Sequence, residues 1–266
     1  MVIIIGAGPI GLATGIQLKK RNIPFLIIEK DCLVSSLYNY PSNMTFFSTS
    51  DRLEIGDVPF ISHGYKPTRA ESLEYYRRVA EHFELPIHLY EAVEKLEGED
   101  GSFTITTDKD TYQATKVVVA TGFYGTPNKM NIPGEDLPKV HHYYKEAHPF
   151  AWQNVLVVGA GNSGVDVALE CFRANANVTM AVRYPEIKKS VKYWVRPDIE
   201  NRIEKEEVKA YFNTEVKEIR PHEVVLETPD GEVTIPNDFV LAMTGYQPNY
   251  KLMDKLGIDL SDDDLC

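Results

Sequence analysis

Two glycine-rich segments carry the residue types and the spacing best suited to chemistry. They read Gly6-Ala-Gly-Pro-Ile-Gly11 and Gly159-Ala-Gly-Asn-Ser-Gly164, each directly after a short apolar run. In a G-x-G-x-x-G turn the first glycine permits a tight bend, the second lets a pyrophosphate approach the backbone, and the third lets a helix pack closely on the strand. The N-terminus of the following helix offers free N–H groups and a positive dipole end to phosphates. Two copies between an apolar strand and a helix predict two dinucleotide sites.

The elements that position these two motifs also repeat along the chain. Each half is expected to begin with a buried parallel strand, a helix with a left-handed asparagine after it, and a second strand. The predicted pairs, first copy before second, are the strands Val2–Ile5 and 155–158, the helices 12–21 and 165–174, the caps Asn22 and Asn175, and the strands Phe25–Ile28 and 178–182.

In each half a small antiparallel sheet is predicted next, followed by a last apolar strand that ends in Thr-Gly. Polar turns separate the short strands of this small sheet. These strands are predicted at residues 91–96, 103–107 and 112–114, then 117–120, and in the second half at residues 215–219, 224–227 and 233–235, then 239–243. The pattern predicts an α/β protein with two Rossmann-like, three-layer domains joined by short crossovers near residues 123–127 and 245–248.

The two halves differ at the end of the second strand. Glu29 lies roughly 20 residues after the first motif, where a carboxylate binds the ribose hydroxyls of FAD or NAD. Alignment of the halves places Val182 opposite Glu29 and Arg183 opposite Lys30. A glutamate repels a 2′-phosphate, whereas a guanidinium binds it bidentately. The second site is therefore predicted to bind NADPH; the alternative is that Arg183 is only a solvated charge.

Two nucleotide sites in one chain indicate a relay of electrons. NADPH donates a hydride, and a flavin can accept it and pass the electrons on, which no side chain can do. We therefore predict an FAD-binding domain over residues 1–122 plus 247–266, and an NADPH-binding domain over residues 123–246. Rotation of one domain on the other is a hypothesis that the short crossovers suggest.

Composition narrows the possible partners and compartments. A net charge of -11 argues against nucleic acid and anionic membranes, which require clustered basic residues. The cysteines Cys32, Cys171 and Cys266 form no CxxC, and His141–His142 is the only histidine pair, so we expect no metal site. Scattered thiols and the absence of a long apolar run favour a cytoplasmic protein with reduced cysteines. We also expect a homo-oligomer.

Longer sequence strings resemble a known family. Ala120-Thr-Gly122, Gly159-Ala-Gly-Asn-Ser-Gly-Val-Asp166 and Thr244-Gly-Tyr-Gln-Pro-Asn249 resemble pyridine-nucleotide-dependent flavoproteins of thioredoxin-reductase type. Further strings, spread over the chain, are similar to the bacillithiol-disulfide reductase family: Tyr38-Asn-Tyr-Pro41, Thr45-Phe-Phe-Ser48, Ser50-Asp51, Ile55-Gly-Asp-Val-Pro-Phe60, Leu137-Pro-Lys-Val-His141 and Tyr144-Lys-Glu-Ala-His-Pro149.

This resemblance implies a set of cofactor contacts. For FAD it implies Gly6, Gly8, Pro9, Gly11, Glu29, Lys30, Tyr40, Ser48, Val93, Ala120, Thr121 and Gly122. For NADPH it implies Gly159, Gly161, Asn162, Ser163, Gly164, Arg183, Ser190, Lys192 and Gly245. The aromatic residues Tyr38, Tyr40, Phe46 and Phe47 could equally serve core packing, which is the commonest use of aromatic side chains.

Two departures from the family pattern affect the mechanism. Many members have a cysteine inside the first glycine motif, where this chain has Ile10, and isoleucine cannot attack a disulfide. No other catalytic side chain is assigned, so the flavin itself is expected to carry the chemistry, with Cys32 and Cys171 structural. Family members also continue beyond Gly257-Ile-Asp259 with a strand and a helix, so we expect the C-terminal part of the FAD domain to be incomplete here.

The resemblance implies an NADPH-dependent, FAD-containing oxidoreductase of redox homeostasis. Its substrate would be a low-molecular-weight thiol disulfide, bacillithiol disulfide, reduced by hydride transfer from NADPH to FAD and on to the disulfide. One alternative is a flavin monooxygenase, in which the string from Gly159 to Asp166 is equally at home. The other is a truncated chain that binds NADPH without catalysing a reaction.

Overall fold

The computed structural model describes residues 1–257, and the chain divides into two compact units. Of the described residues, unit 1 comprises Met1–Thr126 and residues 247–257, and unit 2 comprises Pro127–Tyr246. No helix in the described range is both long and apolar enough to cross a membrane.

The elements of unit 1 before the crossover are β1 (Val2–Ile5), α1 (Pro9–Lys20), β2 (Phe25–Ile28), α2 (Ser35–Tyr38), α3 (Arg69–His82), β3 (Ile87–His88), β4 (Val93–Glu99), β5 (Ser102–Thr107), β6 (Thr111–Ala114) and β7 (Lys116–Val119). Four of the strands form a parallel sheet of order β3-β2-β1-β7, in which Val2 pairs with Phe25 and with Lys116. A three-stranded antiparallel sheet, β4-β5-β6, lies on one face.

Alternation of side chains along β1 produces the layers of unit 1. Ile4 packs with Leu12 and Ile16 of α1, whereas Ile3 packs with Ile105 and Ala114 of the antiparallel sheet. Successive residues of a strand point to opposite faces, so a wholly apolar strand must be covered on both. The central sheet therefore lies between a helical layer and an antiparallel layer.

The elements of unit 2 are β8 (Val140–His141), β9 (Asn154–Val158), α4 (Asn162–Arg173), β10 (Asn177–Val182), α5 (Arg196–Glu204), β11 (Lys209–Phe212), β12 (Glu215–Ile219), β13 (Glu223–Thr228), β14 (Gly231–Pro236) and β15 (Phe239–Ala242), and α6 (Tyr250–Lys255) follows in unit 1. Unit 2 repeats the plan of unit 1 with a five-stranded parallel sheet of order β11-β10-β9-β15-β8 and an antiparallel sheet β12-β13-β14. Val157 packs on the helical side and Leu156 on the antiparallel side.

The predicted fold class is confirmed, and the caps are as expected, with φ of 55° at Asn22 and 62° at Asn175. The predicted helix starts at residues 12 and 165 were wrong by three residues. Both helices begin inside the glycine motif, at Pro9 and Asn162, because the second glycine is itself the N-cap. The helices α2, α3, α5 and α6 and the edge strands β3, β8 and β11 were not predicted.

Candidate functional site

The first glycine motif brings the ends of β1 and β7 together. Gly6 has φ of +110°, and a Cβ placed on it would lie 2.5 Å from the Ala120 carbonyl oxygen. A Cβ on Gly11 would overlap the Gly6 carbonyl oxygen. Both residues must therefore be glycine for the protein's own packing.

Gly8 is a glycine for a different reason. Its φ is -74°, and a Cβ there would meet no atom within 4 Å. Neither the backbone conformation nor the surrounding protein excludes a side chain, so the space beside Gly8 is open at the N-terminus of α1. Pro9 begins that helix and gives up no hydrogen bond, since the first N–H of a helix has no intrahelical partner. This open cradle fits a pyrophosphate.

Glu29 connects the end of β2 to the glycine turn. The residue is only 7% exposed. Its Oε2 accepts a hydrogen bond from the Ala7 backbone N–H at 2.9 Å, and its Oε1 accepts one from the Asp31 N–H at 3.0 Å. Each carboxylate oxygen can accept a further hydrogen bond, for example from a ribose hydroxyl. The exposed Lys30 follows it.

The Thr-Gly end of β7 lies beside the same turn. The Ala120 N–H donates to the Ile5 carbonyl at 2.8 Å, and Gly122 has φ of +63°. Thr121 Oγ1 is buried and has no hydrogen-bond partner among the described residues. Buried hydroxyls are normally satisfied, so this orphaned group fits a site that a ligand completes.

The other predicted FAD neighbours lie further along unit 1. Tyr40 packs edge-on against Tyr124, with ring centroids 4.7 Å apart, and joins the helix-side core together with Phe46. Tyr38 and Phe47 are about half exposed. Of the four aromatic residues named in the sequence analysis, Tyr40 and Phe46 therefore pack against the core and Tyr38 and Phe47 do not. The remaining two predicted neighbours are Ser48, in a half-buried bend, and Val93, the first residue of β4.

The second glycine motif has the geometry of the first. Gly159 has φ of +109° with a would-be Cβ 2.6 Å from the Met243 carbonyl oxygen, and a Cβ on Gly164 would overlap the Gly159 carbonyl oxygen. Gly161, like Gly8, has nothing within 4 Å of a Cβ. The two motifs thus make the same strand-to-helix turn with the same open middle position.

A cavity of about 700 Å³ opens at this second turn. Its described lining consists of Asn128, Lys129, Met130, Ile132, Val158, Gly159, Ala160, Gly161, Asn162, Ser163, Ala181, Arg183, Tyr184, Lys188, Thr214, Glu215, Val216, Met243, Thr244 and Gly245. Six of the nine predicted NADPH residues line it: Gly159, Gly161, Asn162, Ser163, Arg183 and Gly245. Its size is that of a small-molecule site.

Two cations of the cavity lie near one tyrosine ring. The Arg183 guanidinium lies 5.2 Å and the Lys188 ammonium 4.9 Å from the centroid of Tyr184. Within residues 1–257, neither cation forms an ion pair with a carboxylate. Both cations are therefore available to a phosphate that enters the cavity.

Ser190 and Lys192 are not among the described residues that line the cavity, but both contact Asn162, which lines it. The Asn162 Oδ1 accepts the Lys192 backbone N–H at 3.0 Å, and its Nδ2 donates to the Ser190 carbonyl at 3.3 Å. The Lys192 ammonium pairs with Asp166 at 2.7 Å.

Sequence reasoning missed the far wall of this cavity. Residues 128–132 contribute part of it, held where Glu135 accepts the Met130 N–H at 2.8 Å and the Asn131 N–H at 2.7 Å. Thr214 and Glu215, at the start of β12, contribute more. No sequence motif marks these segments, whereas Lys188 was detectable as a basic residue shortly after Arg183.

The described thiols are poorly suited to nucleophilic chemistry. Burial raises the pKa of Cys171, on α4, to about 12, and burial followed by the Asp31 charge raises the pKa of Cys32. Ile10, 71% exposed at the start of α1, occupies the position where relatives were expected to have a cysteine. In the part of the chain that the structure describes, no group of metal-ligating side chains forms a site.

Comparison with known proteins identifies the family. The model of the pyridine nucleotide-disulphide oxidoreductase family matches residues 3–265. The chain belongs to this family. It is accordingly an oxidoreductase that reduces disulfides, with FAD and NADPH as its cofactors.

Three similar proteins define its place within the family. Bacilliredoxin reductase Bdr of Bacillus subtilis is 43% identical over 260 residues, which are 97% of this chain and 80% of that protein. The structure of bacillithiol disulfide reductase Bdr (YpdA) from Staphylococcus aureus is 44% identical, with a TM-score of 0.94 over 98% of this chain and 80% of that one. The same enzyme from Bacillus cereus is 43% identical, with a TM-score of 0.95 over 99% and 83%.

Proposed function

We propose that this chain reduces bacillithiol disulfide to two thiols with electrons from NADPH. The relatives that match nearly its whole length are named bacilliredoxin reductase and bacillithiol disulfide reductase. The overall reaction is NADPH, a proton and one disulfide giving NADP⁺ and two thiols. FAD, when bound, supplies the group that accepts the hydride and delivers two electrons to the disulfide.

The proposed FAD site is the glycine turn of unit 1. The open position at Gly8 and the N-terminus of α1 would bind the pyrophosphate, and Glu29 would bind the ribose hydroxyls. The unpaired Thr121 hydroxyl would form a hydrogen bond with the bound cofactor, as donor or as acceptor. The packing of Gly6 against Ala120 fixes the distance between these groups before any ligand arrives, which reduces the entropy cost of binding.

The proposed NADPH site is the cavity of unit 2. Gly161 would admit the pyrophosphate to the N-terminus of α4, and Arg183 would bind the 2′-phosphate. The observation that carries the assignment is the contrast between two equivalent strand ends: Glu29 braces the first turn, whereas the second turn faces Arg183 and Lys188. A 2′-phosphate is repelled by the first arrangement and attracted by the second.

The substrate test is an anaerobic assay of NADPH oxidation by the FAD-loaded chain. Bacillithiol disulfide is compared with glutathione disulfide and cystine, and released thiols are counted per NADPH. We expect rapid oxidation with bacillithiol disulfide and two thiols per NADPH. If no disulfide supports NADPH oxidation anaerobically and oxidation begins only when O₂ is admitted in a parallel aerobic assay, the proposal is rejected in favour of a flavin monooxygenase. NADPH binding without turnover would favour the inactive-chain alternative.

We further propose a cytoplasmic homo-oligomer. A reaction that releases thiols is matched to a reducing compartment. Light scattering of the purified chain measures the oligomeric state, and a monomer at micromolar concentration would reject that part of the proposal.

A further inference from the structure

The segment that follows Arg183 has an unusually well-fixed shape for an exposed loop. Ile187 and Val191, only 2% and 4% exposed, are anchored in the helix-side core of unit 2. Between them the Val191 N–H donates to the Lys188 carbonyl at 3.0 Å, closing a turn. Lys188 and Lys189 are exposed on this turn, but only Lys188 lines the cavity.

The glycine motif and its helix clamp the C-terminal side of this turn. Both polar atoms of the Asn162 side chain are bonded to it, Oδ1 to the Lys192 N–H and Nδ2 to the Ser190 carbonyl. On the next turn of α4, Asp166 binds the Lys192 ammonium. Both polar atoms of the Asn162 amide are thus hydrogen-bonded to the protein's own loop, although the residue lines the cavity.

The clamp has one chemically useful consequence. It holds the turn where the Lys188 ammonium shares the Tyr184 ring with the Arg183 guanidinium. Lys189, the next residue, instead points toward Glu186, at 3.9 Å. Lys188 is therefore a second cation at the cavity, after Arg183, whereas the charge of Lys189 is partly offset by Glu186.

We infer that Asn162 is a positioning residue that sets the preference for NADPH over NADH by holding Lys188 at the cavity that Arg183 also lines. This rests on the proposed NADPH site. Two fixed cations bind a phosphate more strongly than one, and a cation on a loose loop must be ordered when the ligand binds. Loss of the Asn162 amide frees the turn. Lys188 is then no longer held at the cavity, so its contribution to phosphate binding is lost although the side chain is still present.

The test measures binding of NADP⁺ and of NAD⁺ to the full FAD-loaded chain by calorimetry. The variants are Asn162→Ala, Lys188→Met and the double variant, with Lys189→Met as the matched control. We expect Asn162→Ala and Lys188→Met each to weaken NADP⁺ binding by about tenfold and NAD⁺ binding by less than about twofold. The double variant should bind NADP⁺ no more weakly than Lys188→Met, and Lys189→Met should bind both nucleotides as the parent chain does.

Three results would overturn the inference. Equal weakening of NADP⁺ and NAD⁺ by Asn162→Ala would show that this side chain contacts the part that both cofactors share. Additive losses in the double variant would show that Asn162 and Lys188 act independently. If Asn162→Ala does not fold, Asp166→Asn releases the same turn from its other anchor, and unchanged NADP⁺ selectivity there would reject the clamp. A parent chain that binds NADP⁺ no better than NAD⁺ would instead reject the NADPH assignment itself.

Discussion

The Glu29 carboxylate accepts the backbone N–H of Ala7, with 2.9 Å between Oε2 and the nitrogen. This bond joins the end of β2 to the middle of the glycine turn. The residue expected to bind the ribose therefore also shapes the turn expected to bind the pyrophosphate. In unit 2 the equivalent position is Val182, a core residue, so the second turn is made without such a brace.

Replacement of Glu29 tests this double role. The Glu29 carboxylate accepts two backbone N–H groups, one from Ala7 and one from Asp31. In Glu29→Gln one of the two accepting oxygens becomes an amide NH₂ group, so one of these N–H donors loses its acceptor. We expect about 1–3 kcal/mol lower unfolding free energy and at least about tenfold weaker FAD binding. Flavin fluorescence titration and thermal melting measure the two effects. Asp31→Asn is the matched control, and FAD affinity unchanged in Glu29→Gln would contradict the account.

The glycines of the second motif should separate folding from binding. Gly161→Ala adds a Cβ to open space at an ordinary φ, so stability should change by less than about 1 kcal/mol while NADP⁺ binding falls by more than about tenfold. Gly164→Ala drives its Cβ into the Gly159 carbonyl oxygen and should destabilise unit 2. Melting curves and NADP⁺ calorimetry on both variants give the comparison. Normal NADP⁺ affinity in Gly161→Ala would show that no pyrophosphate approaches there.

The buried carboxylate of Glu91 should make unit 1 acid-sensitive. Burial raises its pKa, but hydrogen bonds from Thr107, Tyr112 and His88 outweigh burial and lower the pKa below its ordinary range. A lowered folded-state pKa adds stability above a pH of about 4.3 that is lost as pH falls through the folded value.

Glu91→Gln should therefore cost about 1–3 kcal/mol of unfolding free energy at neutral pH, and the difference from the parent chain should shrink in acid. Urea titrations at several pH values measure it. Glu97→Gln, at an exposed ion pair, is the control and should change stability by less than about 0.5 kcal/mol. A pH-independent difference would show that the charge of Glu91 contributes nothing.

Cysteine substitution tests how the disulfide is reduced. Cys32→Ser, Cys171→Ala and Cys266→Ser, singly and combined, should keep the disulfide-dependent rate within about threefold, because the two described thiols are held protonated and Ile10 replaces the expected nucleophile. Steady-state assays with a folding check by circular dichroism are sufficient. Loss of the rate in a folded single variant would identify an enzyme thiol in the reaction.

Much of the fold was predictable because the sequence repeats it. Apolar runs followed by G-x-G-x-x-G specify strand, turn and helix locally, and the copies support each other. The helix α3 and its counterpart α5 precede the edge strands β3 and β11, and both were missed. In α3 the Thr68–Glu71 capping box and the buried spacing Ser72, Tyr75, Tyr76, Val79 mark the helix. The edge strand β3 has two residues and pairs only through tertiary contacts, so no local pattern indicates it.

The candidate site was predictable where it depends on local sequence. The glycine turns, Glu29 and Arg183 follow from motif and strand length. The cavity wall from residues 128–132 and the Asn162 clamp could not be predicted, because each joins segments about 30 or more residues apart in sequence. Asn162 was expected to contact NADPH; the structure places it at the cavity and shows its amide bonded to the neighbouring loop.

One spectrum tests the central claim, that unit 1 binds FAD and unit 2 delivers NADPH electrons to it. The purified chain is mixed with FAD, freed of excess cofactor, and recorded anaerobically before and after NADPH. The account predicts retained flavin absorbance that NADPH bleaches and bacillithiol disulfide restores. Absence of retained flavin, or flavin that NADPH does not bleach, would contradict it.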